Sequence, residues 1–439
     1  MRVSIRTYGC TLNQSDGELM RDILEGSGAA TVAEGSGPDV LVVNTCTVKK
    51  VTEQKILYRL STLERMGARM VVTGCMASAN PDLIQKYAPS ASILTTSNVQ
   101  RIAEAVRAAS EGRRVVFDGH AGIDKPAMLG HAGGVIARVP VSEGCLSSCS
   151  FCETKFARGP LNSFPESSIL NAVRYSVAHG AKEIQLTSQD TGAYGADRRT
   201  DIAELMGRIA SIDGDFRVRV GMLNPEHLHK YLERFISILG HERFYKFVHL
   251  PLQSGSDAVL ESMGRNYTAE EFIGYARRIS DAVPGLTLAT DVIVGYPGET
   301  DRDFKATMDL ISEVKPAITN ISKFSARPHA RASRLRQLPS SVVNRRSIAV
   351  YRLTRSIQNG VNSERIGMVE SVLLTEHGDD SINGRDDSYR SVVVKNPVAS
   401  VQLGSRVAVR IHSASASSIY GTIEGPESVL AARSSVRSA

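Results

Sequence analysis

Cysteine is scarce in this chain, with six residues in 439. In a cytosolic protein such thiols stay reduced, so metal binding is a better reading of them than disulfides. Long apolar runs are missing too. No stretch of about 18 apolar residues occurs, which excludes a transmembrane helix. The N-terminus, Met1-Arg2-Val3-Ser4-Ile5-Arg6, reads as a strand and not as a signal peptide. A cytoplasmic, membrane-free protein is expected, and a monomer. What is present is ordinary: 42% hydrophobic and 22% charged residues, a net charge of +6 and a pI near 9.0. The length allows two to four domains.

The six cysteines fall into two trios. Cys145, Cys149 and Cys152 lie in one short loop, Gly144-Cys145-Leu146-Ser147-Ser148-Cys149-Ser150-Phe151-Cys152. A loop of this kind can hold three irons of a cubane [4Fe–4S] cluster, which usually takes four thiolates. The open iron then binds something else, and in radical enzymes that is S-adenosylmethionine. The alternative is a zinc knuckle, which would want a fourth Cys or His close by.

The second trio is Cys10, Cys46 and Cys75. Each follows a strand-like run: Arg2–Thr7, Val40–Val43 and Met70–Val72. Helical stretches follow at Ser15–Leu24, Thr52–Met66 and Pro81–Tyr87. This pattern predicts an open parallel α/β domain over residues 1–118. Ligands bind where the C-terminal ends of such strands share one edge, so the three thiols are expected to converge on a second cluster. The alternative is three small buried residues that merely pack. Asn13 could serve this site or simply form a turn. Residues 119–134 read as a linker. Its His120 and His131 are read as solvated side chains rather than ligands.

Six strand-like runs recur from 135 to 325: Val135–Val141, Glu183–Leu186, Phe216–Val220, Lys246–Leu250, Leu286–Val294 and Ala317–Phe324. Helical stretches at Pro165–His179, Asp201–Ile212, Pro225–Leu239, Thr268–Val283 and Asp301–Val314 separate them. An incomplete (α/β)6 barrel is expected, with its site at the C-terminal strand ends by analogy with full barrels.

The cluster loop and its continuation Glu153-Thr154-Lys155-Phe156-Ala157-Arg158-Gly159 resemble the radical-SAM methylthiotransferases. Within them the match is to the archaeal and eukaryotic branch that acts on threonylcarbamoyladenosine at position 37 of tRNA. The segments Thr187–Gly195, His249–Ser256 and Thr290–Thr300 match as well. The resemblance implies two [4Fe–4S] clusters and S-adenosylmethionine as cofactors. It implies a tRNA anticodon stem–loop and a separate electron donor as partners. The same machinery on isopentenyladenosine or on a ribosomal-protein aspartate is the alternative within the class. A non-catalytic Fe–S protein that binds RNA, or a zinc RNA-binding module, is the alternative outside it. Relatives in eukaryotes carry a C-terminal membrane anchor, where this chain has a polar tail.

Phe151, Ser188, Gln189, Gln253, Asp291 and Gly295 are the candidate cofactor contacts. Phe151 would abut the adenine or pack. Gly295 would admit a nucleoside close to the backbone or simply turn. Asp291 and Glu299 are read as salt-bridge or helix-end groups as readily as catalytic ones. The sequence names no general acid or base.

From Lys323 to Arg365 there are ten Lys or Arg against one acid, Glu364. Such clustering is a phosphate-binding footprint or a solvated helix face. A basic helix is expected at Ser341–Gln358, within an extension spanning 326–365. Short strands at Met368–Thr375, Ser388–Lys395, Arg406–Ser413 and Tyr420–Ile423 follow, with turns between them that include Asn383–Asp386. They predict a small antiparallel barrel over 366–427 that resembles a TRAM domain, OB-like and RNA-binding. Candidate RNA contacts are Arg158, Arg327, Arg345, Arg346, Arg352, Tyr389 and Arg390. Ala326 and His329 depart from the family pattern, which usually has Pro and Gly there. Residues 428–439 are expected to be disordered.

Overall fold

The structure is a computed structural model that describes residues 1–119, 122–130, 133–395 and 401–424. The candidate histidines His120 and His131, and the tail at 428–439, lie outside these residues.

The N-terminal part runs β1 (Arg2–Thr7), α1 (Thr11–Gly26), β2 (Ala30–Thr31), β3 (Val40–Thr45), α2 (Lys50–Arg65), β4 (Met70–Gly74), α3 (Cys75–Ala79), α4 (Pro81–Tyr87), β5 (Ser92–Leu94), α5 (Ile102–Ser110) and β6 (Val116–Phe117). One six-stranded parallel sheet results, in the order β2-β1-β3-β4-β5-β6. Both faces are covered, so its central strands are continuously apolar and buried. Strands β2, β5 and β6 span two or three residues, too short for a sequence period to reveal them. The supposed linker is not a loose tether where it is described. Lys125 is 1% exposed, and the Gly130 amide donates to Asp22.

The central part runs β7 (Ile136–Pro140), β8 (Ser142–Glu143), α6 (Thr154–Arg158), β9 (Asn162–Ser163), α7 (Glu166–Ala178), β10 (Glu183–Thr187), α8 (Ile202–Ala210), β11 (Arg217–Arg219), α9 (Pro225–Leu228), α10 (Leu232–Leu239), β12 (Phe247–His249), α11 (Asp257–Met263), α12 (Ala269–Ala282), β13 (Thr287–Val294), α13 (Asp301–Val314) and β14 (Ile318–Lys323). Two parallel three-stranded sheets, β11-β10-β7 and β12-β13-β14, form the wall. The bridge Met222↔His249 joins them. The six expected strands are therefore present in one curved, parallel wall. The helix expected at 225–239 is broken into α9 and α10 at Tyr231, which is buried and donates its hydroxyl to Gly192 O at 2.8 Å. Helix α11 was not foreseen.

The C-terminal part is α14 (Ser340–Ser363), then β15 (Val369–His377), β16 (Ser381–Asp386), β17 (Ser391–Lys395), β18 (Arg406–Ala414) and β19 (Ile419–Ile423). The five strands close in the order β15-β16-β17-β19-β18. All pairs are antiparallel except β17 with β19. The turn expected at Asn383–Asp386 is instead strand β16. Gly384 faces Leu374 there, and a Cβ on it would sit 2.4 Å from Leu373 O. Its glycine serves close approach of two backbones, not a bend.

This barrel is plugged into the start of the central strands. Tyr389 packs its ring on Tyr245 and Phe247, with centroids at 4.8 and 5.1 Å. Its hydroxyl meets Glu183 and Gln185 of β10 at 3.1 and 3.0 Å.

Candidate active site

Strands β1, β3 and β4 are neighbours, and the register pairs Thr7 with Asn44 and Thr45 with Gly74. Their ends therefore bring Cys10, Cys46 and Cys75 to one edge. Gly9 and Gly74 hold positive φ angles of 106° and 88°. A Cβ on Gly9 would fall 2.9 Å from the Cys46 sulfur, so glycine leaves the space above that thiol open. Asn13 ties the loops together, donating to Thr45 O at 3.0 Å and to Tyr8 O, while Asn44 donates to Asn13 O at 2.8 Å.

The trio Cys145, Cys149 and Cys152 stands opposite, on the loop after β8. Gly144 has φ +76°, and a Cβ there would collide with Pro160 O. Three outside elements hold the loop. Ser150 N donates to Met263 O at 2.8 Å, Ala332 N donates to Ser150 O at 2.8 Å, and Ser147 Oγ donates to Glu226 at 2.9 Å. Arg265 Nη1 lies 3.2 Å from the Cys149 sulfur and its Nη2 donates to Asn224 at 2.6 Å.

Burial pushes the Cys75 thiol up to about 11 and the Cys145 thiol to about 12, and raises those of Cys46 and Cys152. Sulfur at these places stays neutral unless a cation compensates it. Each donor set is three soft thiols, which suits iron–sulfur chemistry.

The loop after β10 carries the polar groups expected to meet S-adenosylmethionine. Gln189 Oε1 is buried without a hydrogen-bond partner; Asp190 Oδ2 accepts no hydrogen bond either, though His227 Nε2 faces it at 3.4 Å. Such orphaned acceptors suit an incoming ammonium group. Ser188 bonds only to Thr191, at 3.3 Å. Gln253 has a left-handed φ of 66° and pairs by its backbone with β13, through Asp291 O at 2.8 Å. Burial works against the charge on Asp291. Hydrogen bonds from His249 and Asn320, both at 2.9 Å, nevertheless hold its carboxyl below the usual range. Phe151 packs against Val259, Met263, Tyr296 and Ala332.

Several expectations need correction. The close approach at Gly295 is to Val343 of α14, whose Cγ2 would be 2.6 Å from an added Cβ, so it is not an opening for a nucleoside. Arg158 does not face solvent: its side chain is 0% exposed and ion-paired with Asp16 and Glu143 at 2.7 and 2.9 Å. Arg327 is buried against Glu53 and Val48 O. Arg346 is buried against Glu299 and Asp301, so Glu299 is a salt-bridge group. Arg390 is buried beside Asp386, and Tyr389 is the plug described above. The four arginines among them are buried, and Tyr389 is half-buried against the central strands. Arg345 and Arg352 on α14 do remain exposed.

Arg265, Glu226, Lys125 and the carboxylates around Arg158 carry no local pattern that would mark them in the sequence.

Residues 2–96 match the uncharacterized protein family UPF0004, and residues 139–311 match the Radical SAM superfamily. A probable threonylcarbamoyladenosine tRNA methylthiotransferase of Pyrococcus abyssi is 36% identical, covering 92% of this chain and 99% of its own. One from Archaeoglobus fulgidus is 40% identical over 91% and 94%. The human threonylcarbamoyladenosine tRNA methylthiotransferase is 34% identical over 94% of this chain and 72% of its own. Among solved structures, a radical S-adenosylmethionine methyltransferase from Kitasatospora setae aligns with a TM-score of 0.55 at 16% identity, covering 76% of this chain and 75% of its own. That likeness concerns the fold alone. With thiol trios on two facing loops and relatives matched from end to end, this chain belongs to the threonylcarbamoyladenosine tRNA methylthiotransferase family.

Proposed function

We infer that this protein is a radical-SAM enzyme that replaces the C2 hydrogen of threonylcarbamoyladenosine-37 in tRNA with a methylthio group. The observation that carries this reading is the placement of one three-thiol loop opposite three strand ends that each bear a thiol, stitched by buried side chains. The thiols of Cys145, Cys149 and Cys152 would hold one [4Fe–4S] cluster, and those of Cys10, Cys46 and Cys75 the auxiliary one. When bound, the clusters and S-adenosylmethionine supply the radical chemistry that an unactivated C–H bond requires, together with sulfur and a methyl group.

The chain's own residues do the rest. Gln189 and Asp190 offer buried acceptors to the methionyl ammonium. Arg265 and Asn224 fix the loop around Cys149. Asn13 and Asn44 lock the auxiliary strand ends to one another. The exposed arginines of α14, Arg345 and Arg352, engage phosphates of the anticodon stem–loop, whose unpaired base can be splayed out. One chain supplies both trios, so a second copy is not needed to complete the site; a monomer acting in the cytoplasm with a separate electron donor is the reading adopted. No helix among the described residues is long and apolar enough to cross a membrane.

Nucleoside mass spectrometry tests this. Reconstituted protein, reductant and S-adenosylmethionine are incubated anaerobically with tRNA containing threonylcarbamoyladenosine. The 2-methylthio derivative is expected. Formation of 5′-deoxyadenosine without it would move the acceptor to isopentenyladenosine or a ribosomal-protein aspartate. Absence of both in cluster-loaded protein would refute the enzyme.

A further inference from the structure

The segment that follows Cys152 reaches into all three loops of the opposite trio. Glu153, 3% exposed, accepts from Thr47 at 2.7 Å and from Asn80 at 2.9 Å. Thr47 adjoins Cys46, and Asn80 ends the helix that Cys75 begins. Six residues past Cys152, Arg158 donates from Nη2 to Asn13 at 2.9 Å, beside Cys10. Its Nε–H points at the Cys75 sulfur, 3.4 Å away. The remaining nitrogen, Nη1, is held by Asp16 and Glu143. Lys125 joins both carboxylates at 2.8 Å. Two cations and two carboxylates thus close into a buried, neutral cage. Every nitrogen of the guanidinium is committed, and the planar fork leaves one orientation for Nε. A cage that served only to join two domains would not need a donor aimed at a ligand sulfur.

We propose that Arg158 is a positioning residue for the auxiliary cluster: its Nε–H donates to the Cys75 sulfur and raises that cluster's reduction potential, while Glu153 and the Arg158 fork fix one trio relative to the other. The inference rests on the auxiliary-cluster assignment made above. Reduction places more negative charge on ligand sulfur, and a hydrogen bond to that sulfur stabilises the reduced state. Removing the donor therefore lowers the potential. The carboxylates Asp16 and Glu143 face the far end of the fork, so the hydrogen bond rather than net charge is what Cys75 receives.

The test uses full-length protein with Cys145→Ala, Cys149→Ala and Cys152→Ala, which leaves only the auxiliary trio to load and removes any signal from the Arg265 contact. The protein is grown with ¹⁵N-labelled arginine, reduced, and read by pulsed electron paramagnetic resonance. An arginine ¹⁵N coupling to the cluster spin is expected. Arg158→Lys keeps the cation and loses Nε, so it should abolish that coupling and shift the midpoint potential downward. A loaded cluster with no arginine coupling overturns the proposal, and so does Arg158→Lys with an unchanged potential. If Arg158→Lys does not load, the labelled parent decides alone. Failure of the parent to hold any cluster would instead overturn the auxiliary-site assignment, and this inference with it. Neither readout involves tRNA, so a wrong acceptor leaves the result intact.

Discussion

Replacing Tyr389 by alanine should undock the C-terminal barrel from the central one. The ring meets Tyr245 edge-on and Phe247 at a tilt, and lies within 5.9 Å of Arg219 and 5.0 Å of Arg385. Truncating a buried aromatic to alanine costs about 3–5 kcal/mol. Tyr389 keeps part of its surface in solvent, so the lower end, about 3 kcal/mol, is expected. Tyr389→Phe is the control. It keeps the ring and loses two hydrogen bonds, but Glu183 still accepts from Gln185 at 2.6 Å and from Tyr245 at 3.0 Å. Its cost should be about 1 kcal/mol. The Lys246 amide, which donates to Asp387 O across the joint at 2.9 Å, reports the opening directly. Hydrogen exchange there should speed up by roughly 100-fold in Tyr389→Ala and by about 5-fold in Tyr389→Phe. Amides in β3 and β4 should not change. Equal exchange in the two variants would refute the plug, and so would an unaltered Lys246 rate.

Cys46→Ala should spare cofactor cleavage and abolish sulfur insertion; normal methylthiolation by that variant, measured on tRNA nucleosides, would sink the auxiliary site. Gly295→Ala forces a Cβ onto Val343 at a positive φ of 77°. Melting should show a loss of about 2–4 kcal/mol from strain and overpacking, and an unchanged Tm would count against the packing described. Arg345→Ala and Arg352→Ala should each flatten the salt dependence of tRNA binding by about one unit of slope without altering Tm; unaltered binding by both would remove α14 from the RNA surface. Burial raises the Asp386 carboxyl to about 6. A carboxyl raised in this way binds protons more tightly in the folded state, so it costs stability as the pH climbs from about 4 to above 6. Melting of Asp386→Asn against the parent should therefore favour the variant more at pH 7 than at pH 4.5, by at most about 3 kcal/mol; a difference that does not grow with pH would refute it.

The architecture was readable because it rests on local patterns. Val40–Val43 and Met70–Val72 are apolar throughout since a parallel sheet buries both faces, and cysteines placed just past such runs must meet at one edge. The strands of the central wall fell within a residue or two of their expected ends. The failures share a cause. Asn383–Asp386 has the composition of a turn, yet Gly384 is required by a neighbouring strand that local sequence does not show. Arg158, Arg327 and Arg346 were read by charge as RNA contacts. Their partners, Asp16, Glu53 and Glu299, lie 142, 274 and 47 residues away. A sequence displays how much charge a segment carries but not which groups face it. By itself the sequence determined the parallel β–α pattern that gathers Cys10, Cys46 and Cys75 at one edge, the single loop that holds Cys145, Cys149 and Cys152, and the family to which the chain belongs. Only the tertiary structure decided which arginines are exposed, that Tyr389 is a plug, and that Arg158 points at the Cys75 sulfur. Those outcomes depend on side chains brought together by packing, and burial makes each unpaired charge too costly to leave without its distant partner.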